Sequence, residues 1–354
     1  MSDTIVESGS LVRFAEAISL AAGVPAATAA LVAKSLVAAN LRGVDSHGIQ
    51  LLPYYIEQIL RGDMDPTATG HVVSENSSCL VYDGANGIGQ PIAEICCNHA
   101  IRIAKSQGMG MVVARESNHF GAAAFWAQRI SAEGQIGIIM CNASPMVPPW
   151  QSKEPRVGTN PICMSVPSRN APAWLLDMAT TTVAAGKIYK AGLNGQPSIP
   201  PGWAMDSEGV PTTDTQTALK GLVMPLGGYK GSGLAMMVEI LCAVLSGGAM
   251  STELGGIRIP GKKMRVSQTY LAIDVQRFLP VEDFQARMDR LIQTIKSAAP
   301  ARDYDEVLIA GEPETRTEER RSREGIPIAQ GNWRALVDIA ARLGVEQPIP
   351  GTTP

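Results

Sequence analysis

The chain has 354 residues, 45% hydrophobic and 18% charged, which supplies a large core spread over two lobes or one elaborated domain. Its formal net charge of −3 gives no basic stripe to neutralise phosphates, so nucleic acid is excluded as a partner and a small molecule is expected. The six cysteines (Cys79, Cys96, Cys97, Cys141, Cys163 and Cys242) form no C-x-x-C pair, the N-terminus lacks a signal pattern, and no apolar run reaches roughly 18 residues; core thiols, no membrane span and a cytoplasmic location are expected.

In chain order, Leu11–Ala22 and Pro25–Leu41 read as helices, the second with Val32, Leu36 and Ala39 at i, i+4 and i+7, and Gly23-Val24-Pro25 breaks them. From Cys79 to Asp177, short apolar runs (Cys79–Tyr82, Met109–Ala114, Ile136–Cys141, Trp174–Leu176) alternate with helix-like stretches, the pattern of an α/β layer with a mixed or parallel sheet. The Gly/Pro-rich stretch 192–228 lacks periodicity and reads as loops crossing one face. After it, Leu234, Met237, Val238, Leu241 and Leu245 predict a buried helix over Gly231–Leu245. The mixture of arginines and glutamates over Thr317–Glu324 reads as a solvated helix face.

Two glycine clusters bear on anion binding. Gly84-Ala85-Asn86-Gly87-Ile88-Gly89 follows a strand and precedes a helix, with Glu116 after the next strand, but its G-x-x-G-x-G spacing departs from the dinucleotide fingerprint and favours a turn over a cofactor loop. Pro225-Leu226-Gly227-Gly228-Tyr229-Lys230-Gly231-Ser232-Gly233 fails the P-loop pattern, yet a glycine-rich helix entry carrying a lysine suits a pyrophosphate or carboxylate. Thr180, Thr181 and Thr182 precede an expected helix over Val183–Lys190, where their hydroxyls can cap it or face an anion.

Of four histidines, His99 falls on the stripe Ile92, Ile95, Cys96, Ile103 and reads as core, and His71 opens a strand. His47 ends a helix in Arg42-Gly43-Val44-Asp45-Ser46-His47-Gly48, and His119 sits at a strand-to-helix junction in Glu116-Ser117-Asn118-His119-Phe120-Gly121; loop placement beside glycine suits exposed acid/base chemistry. A hydrolase built on Ser46, His47 and Asp177 is the competing reading, although adjacent side chains diverge on a regular backbone and no G-x-S-x-G elbow exists. Arg115–His119, Asn142–Ser144 and Asp177 all follow apparent strands, and ligands of open α/β sheets gather at such ends.

Six ordered motifs complete the reading: Ser46-His47-Gly48-Ile49, Asn118-His119-Phe120-Gly121, Gly158-Thr159-Asn160-Pro161, Leu176-Asp177-Met178-Ala179-Thr180, Pro225–Gly231 and Gly311-Glu312. Together they resemble the malate/L-lactate (L-sulfolactate) dehydrogenase family along nearly the whole chain. The resemblance implies an α/β, L-sulfolactate dehydrogenase-like fold: a non-Rossmann cofactor domain with a mixed sheet (76–309), plus a helical, dimerising part from both termini (1–75 and 310–354). It implies a homodimer or higher homo-oligomer that transfers a hydride between NAD or NADP, NAD favoured, and a small 2-hydroxy or 2-oxo acid. A cyclic-imine carboxylate reductase or ureidoglycolate-type dehydrogenase of the family is an alternative, and a catalytically silent ligand-binding protein is another.

By the same resemblance His47 is the acid/base, with His119 in that role in other members, and Asp177 orients His47 or shares its proton. Arg42, Ser46, Tyr55 and Thr159 would meet substrate. The cofactor would lie along Asn142, Ser144, Asn160, Asp177, Met178, Ala179, Thr180, Thr181, Tyr229, Lys230, Gly311, Glu312 and Pro313, and no metal is assigned. Where many relatives keep an arginine four residues after the Ser-His histidine, this chain has Leu51. Arg42, Lys230 or a partner-subunit group would have to replace that carboxylate clamp.

Overall fold

The computed structural model describes residues 3–170 and 173–347. Its strands are β1 (Thr4–Val6), β2 (His71–Asn76), β3 (Cys79–Asp83), β4 (Met109–Ser117), β5 (Gln135–Cys141), β6 (Ile162–Ser165), β7 (Leu175–Met178), β8 (Ala204–Met205), β9 (Pro211–Thr212), β10 (Leu222–Val223), β11 (Val266–Asp274) and β12 (Ile326–Ile328). Its helices are α1 (Ser8–Ala21), α2 (Ala26–Leu41), α3 (Leu52–Arg61), α4 (Gly89–Gln107), α5 (Ala123–Ser131), α6 (Ala185–Leu193), α7 (Thr215–Lys220), α8 (Tyr229–Glu239), α9 (Val281–Lys296), α10 (Glu312–Glu324) and α11 (Gln330–Arg342).

Seven strands form a mixed sheet in the order β2-β3-β4-β11-β5-β6-β7, with β3 and β4 parallel across the α4 crossover and the other pairs antiparallel. Strand alternation explains why both faces are covered. Ile139, Cys141 and Cys163 join the core with residues of α4 and α5, whereas Met140 and Ile162 pack on the opposite face against Val238 and Cys242.

A second core unites the two ends of the chain: Leu11, Phe14, Leu36, Leu52 and Ile56 pack with Ile326, Leu336 and Ile339, and β1 pairs with β12. Residues 348–354 of the expected C-terminal part lie outside the described residues. Among those described, no helix is long and apolar enough to cross a membrane.

Three readings of the sequence need correction. The stretch 192–228 is not a set of loops: it contains α7 and the small sheet β10-β8-β9, with a core of Ile199, Ala204, Ala218 and Val223 that also takes in Val183 and Ile188. Strands two residues long are too short to show a period. The helix expected over Gly231–Leu245 begins at Tyr229 and passes into a π-helical turn over Ile240–Val244. Its buried side is the small-residue stripe Gly231, Ala235, Val238 and Cys242, and Met237 and Leu245 are exposed. Small residues let this helix approach closely; a Cβ on Gly231 would stand 2.3 Å from the Leu226 nitrogen. Finally, His99 is only half-buried, against the Tyr82 ring and with an Arg102 nitrogen 3.3 Å from Nδ1. Five cysteines are buried and Cys79 is exposed, all with free thiols.

Candidate active site

The segment after α2 turns through a short 3-10 helix, Asp45–His47. Asn40, near the end of α2 and buried, holds it from below: its Nδ2 donates to Asp45 Oδ1 (2.6 Å) and its Oδ1 accepts the Ile49 N–H (2.7 Å). Gly48 is required here for space, because a Cβ would fall 2.3 Å from that same Asn40 oxygen. Arg321 of α10 donates to both Asp45 oxygens (2.7 and 3.1 Å) and leaves 12% of its side chain exposed. Part of the helix face expected to be solvated is therefore turned inward, to brace the turn that carries His47.

On that turn Ser46 Oγ lies 3.0 Å from His47 Nδ1. Neighbouring side chains meet because the 3-10 turn is not the regular backbone on which they would diverge. His119 follows β4, and its ring stacks on His47 with centroids 5.6 Å apart and planes 26° from parallel. Sequence thus offered two candidate histidines, and the fold makes them one pair.

Behind His119 stands Tyr55, 2% exposed, with its hydroxyl 2.7 Å from His119 Nδ1. The Gly121 N–H donates to the same nitrogen (3.2 Å), and Gln90 Nε2 donates to the Tyr55 oxygen (3.4 Å). Gly121 adopts φ +79°, a conformation that glycine enters freely and that folds the chain back onto the ring. Tyr55, expected at substrate, is instead bound to His119. Burial, with the neighbouring His47 contributing, lowers His119 to about 3; burial also lowers His47. Both rings are thus neutral at pH 7, able to donate from one nitrogen and accept at the other.

Asp177 does not hydrogen-bond to His47. Its Oδ2 accepts the Ala124 N–H at the start of α5 (3.1 Å), the favourable place for an anion on a helix. Its residue is exposed, yet surrounding protein crowds the carboxyl: burial pushes it up to about 6, against the pull of Ala124 and Arg42 and with a further push from Glu314. Arg42 is buried and paired with Glu318 (3.2 Å), while its Nε has no partner among the described residues.

The sequence profile described as malate/L-lactate dehydrogenase matches residues 6–337. The chain is 39% identical to a malate dehydrogenase of Pyrococcus horikoshii over 92% of its own length and 91% of the relative's. The chain belongs to the malate/L-lactate dehydrogenase family. It superposes on sulfolactate dehydrogenase from Methanocaldococcus jannaschii with a TM-score of 0.91 at 34% identity, covering 97% of this chain and 98% of the other. A delta1-piperideine-2-carboxylate reductase from Pseudomonas syringae gives 0.84 at 28% identity, with 95% and 99% covered. As a member of this family the protein is an oxidoreductase with the mixed-sheet α/β fold of these neighbours.

For a dinucleotide of the kind the family implies, the residues expected in contact divide into two groups. Asn142 and Asn160 are fully buried with every amide atom bonded: Asn142 Oδ1 accepts from Ser267 N (2.8 Å), its Nδ2 donates to Ala249 O (3.0 Å) and Glu239 (3.3 Å), Asn160 Oδ1 accepts from Ala143 N (3.0 Å), and its Nδ2 donates to Ala235 O (2.9 Å) and Glu239 (3.1 Å). Their side chains brace loops. Thr180 and Thr181 are also buried and cap no helix, since their hydroxyls donate to the Thr159 and Val183 carbonyls (2.9 Å each). Glu312 is buried between Lys296 (2.5 Å) and Arg316 (2.5 Å).

The second group is open. Tyr229 and Lys230 are exposed at the start of α8, where no side chain caps the helix and Gly227 and Gly228 hold positive φ. Gly311, at φ +87°, opens α10 with Pro313 in its first turn, likewise uncapped. At α8, uncapped N–H groups beside the Lys230 ammonium are the kind of donor set a pyrophosphate requires, so these residues fit such a group; at α10 the Glu312 N–H is already bonded to the Ile309 carbonyl (3.2 Å), Pro313 has no N–H, and the first turn carries Glu312 and Glu314. Met178, Ala179, Thr159 and Ser144 are half-exposed, and Ser144 Oγ donates to the Gly255 carbonyl (2.5 Å). Leu51 is buried in the terminal core, so position 51 offers no cation to a substrate carboxylate. Sequence reading missed Asn40, Gln90, Arg321 and Glu239; Asn40, a lone amide in an Ala- and Leu-rich helix, was the one visible signal.

Proposed function

We propose that the protein is a cytoplasmic homodimer that transfers a hydride between NAD or NADP and a small 2-hydroxy or 2-oxo acid, with the His47–His119 pair at the reacting oxygen. The observation that carries this reading is the pair itself: two stacked, half-exposed imidazoles with centroids 5.6 Å apart. Malate and sulfolactate, named for the relatives, set the substrate class.

When bound, the nicotinamide supplies the hydride acceptor or donor. His47 takes the hydroxyl proton during oxidation and returns it during reduction, a task suited to a neutral imidazole. Lys230 and the uncapped start of α8 would hold the pyrophosphate. Arg42, whose Nε lacks a partner, is the buried cation available to a substrate carboxylate in place of an arginine at position 51. The exposed apolar face of Met236 (62%), Ile240 (46%), Val244 (57%) and Leu245 (53%) supports association of two copies. Six free thiols suit a reducing compartment.

The test is a paired NADH and NADPH titration against oxaloacetate, pyruvate and other 2-oxo acids, followed at the absorbance of the reduced nicotinamide. Turnover with at least one acid is expected. Dinucleotide binding without turnover would mark a silent ligand-binding protein. Turnover confined to a cyclic imine carboxylate would select the second reading, which the piperideine-carboxylate reductase neighbour supports.

A further inference from the structure

His119 Nδ1 faces two donors. The Gly121 N–H points at it from the backbone (3.2 Å) and cannot be turned into an acceptor. The Tyr55 hydroxyl lies 2.7 Å away and itself receives the Gln90 N–H at 3.4 Å, so its own proton is directed to the ring. A nitrogen that accepts two N–H or O–H groups carries no proton, which leaves the neutral ring protonated at Nε2. Tyr55 is 2% exposed and Gln90 fully buried, so the Nδ1 edge is closed off, and the half-exposed part of His119 is the remainder of the ring.

We propose that Tyr55 is a positioning residue that, with the Gly121 N–H, locks His119 as an Nε2–H donor to the substrate oxygen, so that the two histidines divide the chemistry. This rests on the hydroxy-acid reading above. His119 holds the oxygen in a hydrogen bond and exchanges no proton. In oxidation the O–H proton moves to His47 Nε2, whose Nδ1–H donates to Ser46 Oγ, while the C2–H electron pair leaves as hydride to the nicotinamide and the C=O bond forms; reduction reverses each transfer. The stacked rings then act on one oxygen without competing for one proton.

Nitrogen-15 NMR of the full-length, histidine-labelled protein tests the lock directly, with His119 assigned by comparison with His119→Gln. The wild type is expected to show His119 protonated at Nε2 alone between pH 6 and 8. A proton on Nδ1 overturns the proposal without any need for a further variant. Tyr55→Phe keeps the packing and removes the donor: His119 is expected to populate a second tautomer, with kcat down about tenfold and KM little changed. If Tyr55→Phe leaves both the spectrum and kcat as they were, Tyr55 positions nothing and the proposal falls. If the wild type turns over no 2-oxo acid while His119 still reads Nε2–H, the reaction assignment fails, and with it the division of labour, although the lock stands.

Discussion

Two polar clusters lie near the ends of β4 and β5. Around Asn142, Asn160 and Glu239 every carboxamide atom has a partner within the protein. In the His47–His119 pair both Nδ1 atoms are engaged, by Ser46, Tyr55 and Gly121, and among the described residues neither Nε2 has a protein partner. A polar group that is buried and saturated contributes rigidity, because breaking any bond strands a donor or acceptor. A pair that is braced on one edge and open on the other is available for chemistry. Residue type alone does not separate these cases, since asparagines and histidines were both expected at the site.

The contrast is sharpest for the open pair. His47→Ala is expected to lower kcat by about 10²-fold or more, with melting temperature and dinucleotide affinity near those of the wild type. A fall in turnover matched by a fall in melting temperature would mean that His47 is scaffold too.

Glu239→Ala should do the opposite. It strips an acceptor from two buried carboxamides, at about 1–3 kcal/mol, and lowers the melting temperature by several degrees. An unchanged melting curve would remove the distinction between the clusters.

Acid stability gives a smaller effect. His119 is held at about 3 against an ordinary 6.5, so between those values the unfolded chain binds the extra proton. Its contribution to stability is full above pH 6.5 and is lost as pH falls toward 3. Denaturation of His119→Gln at pH 7.5 and pH 5 should therefore show a shallower loss than the wild type.

The smallest effect belongs to Asp177, raised to about 6 in the folded chain from 3.8. Here the native state binds the extra proton, and stability falls as pH rises through that window. Asp177→Asn, which can still accept from Ala124, should melt higher than the wild type at pH 7.5 and alike at pH 3. Because the carboxyl reaches solvent, the gain is modest.

Much of this was legible in the sequence where it depended on local pattern. The Ser46-His47-Gly48 and Asn118-His119-Phe120-Gly121 turns announce themselves by glycine and loop placement. What was illegible depends on long-range closure. Arg321 reaches Asp45 across 276 positions, Tyr55 reaches His119 across 64 and Asn142 reaches Glu239 across 97. A charged run such as Thr317–Glu324 carries no mark of which arginine turns inward. The α8 stripe misled in part for a related reason: Val238 is buried as its spacing suggests, but Met237 and Leu245 are exposed, and the small residues Gly231, Ala235 and Cys242 take the rest of the buried side, Gly231 against the Leu226 backbone.

The proposed reaction moves a hydride beside the stacked histidine pair. The direct measurement is to supply the full-length enzyme with a dinucleotide dideuterated at the nicotinamide C4, together with a 2-oxo acid, and to read the product by mass spectrometry and proton NMR. One deuterium at C2 of the hydroxy acid, formed at least about 10²-fold more slowly by His47→Ala, is the predicted result. Product without deuterium at C2, or equal rates from the two proteins, would contradict it.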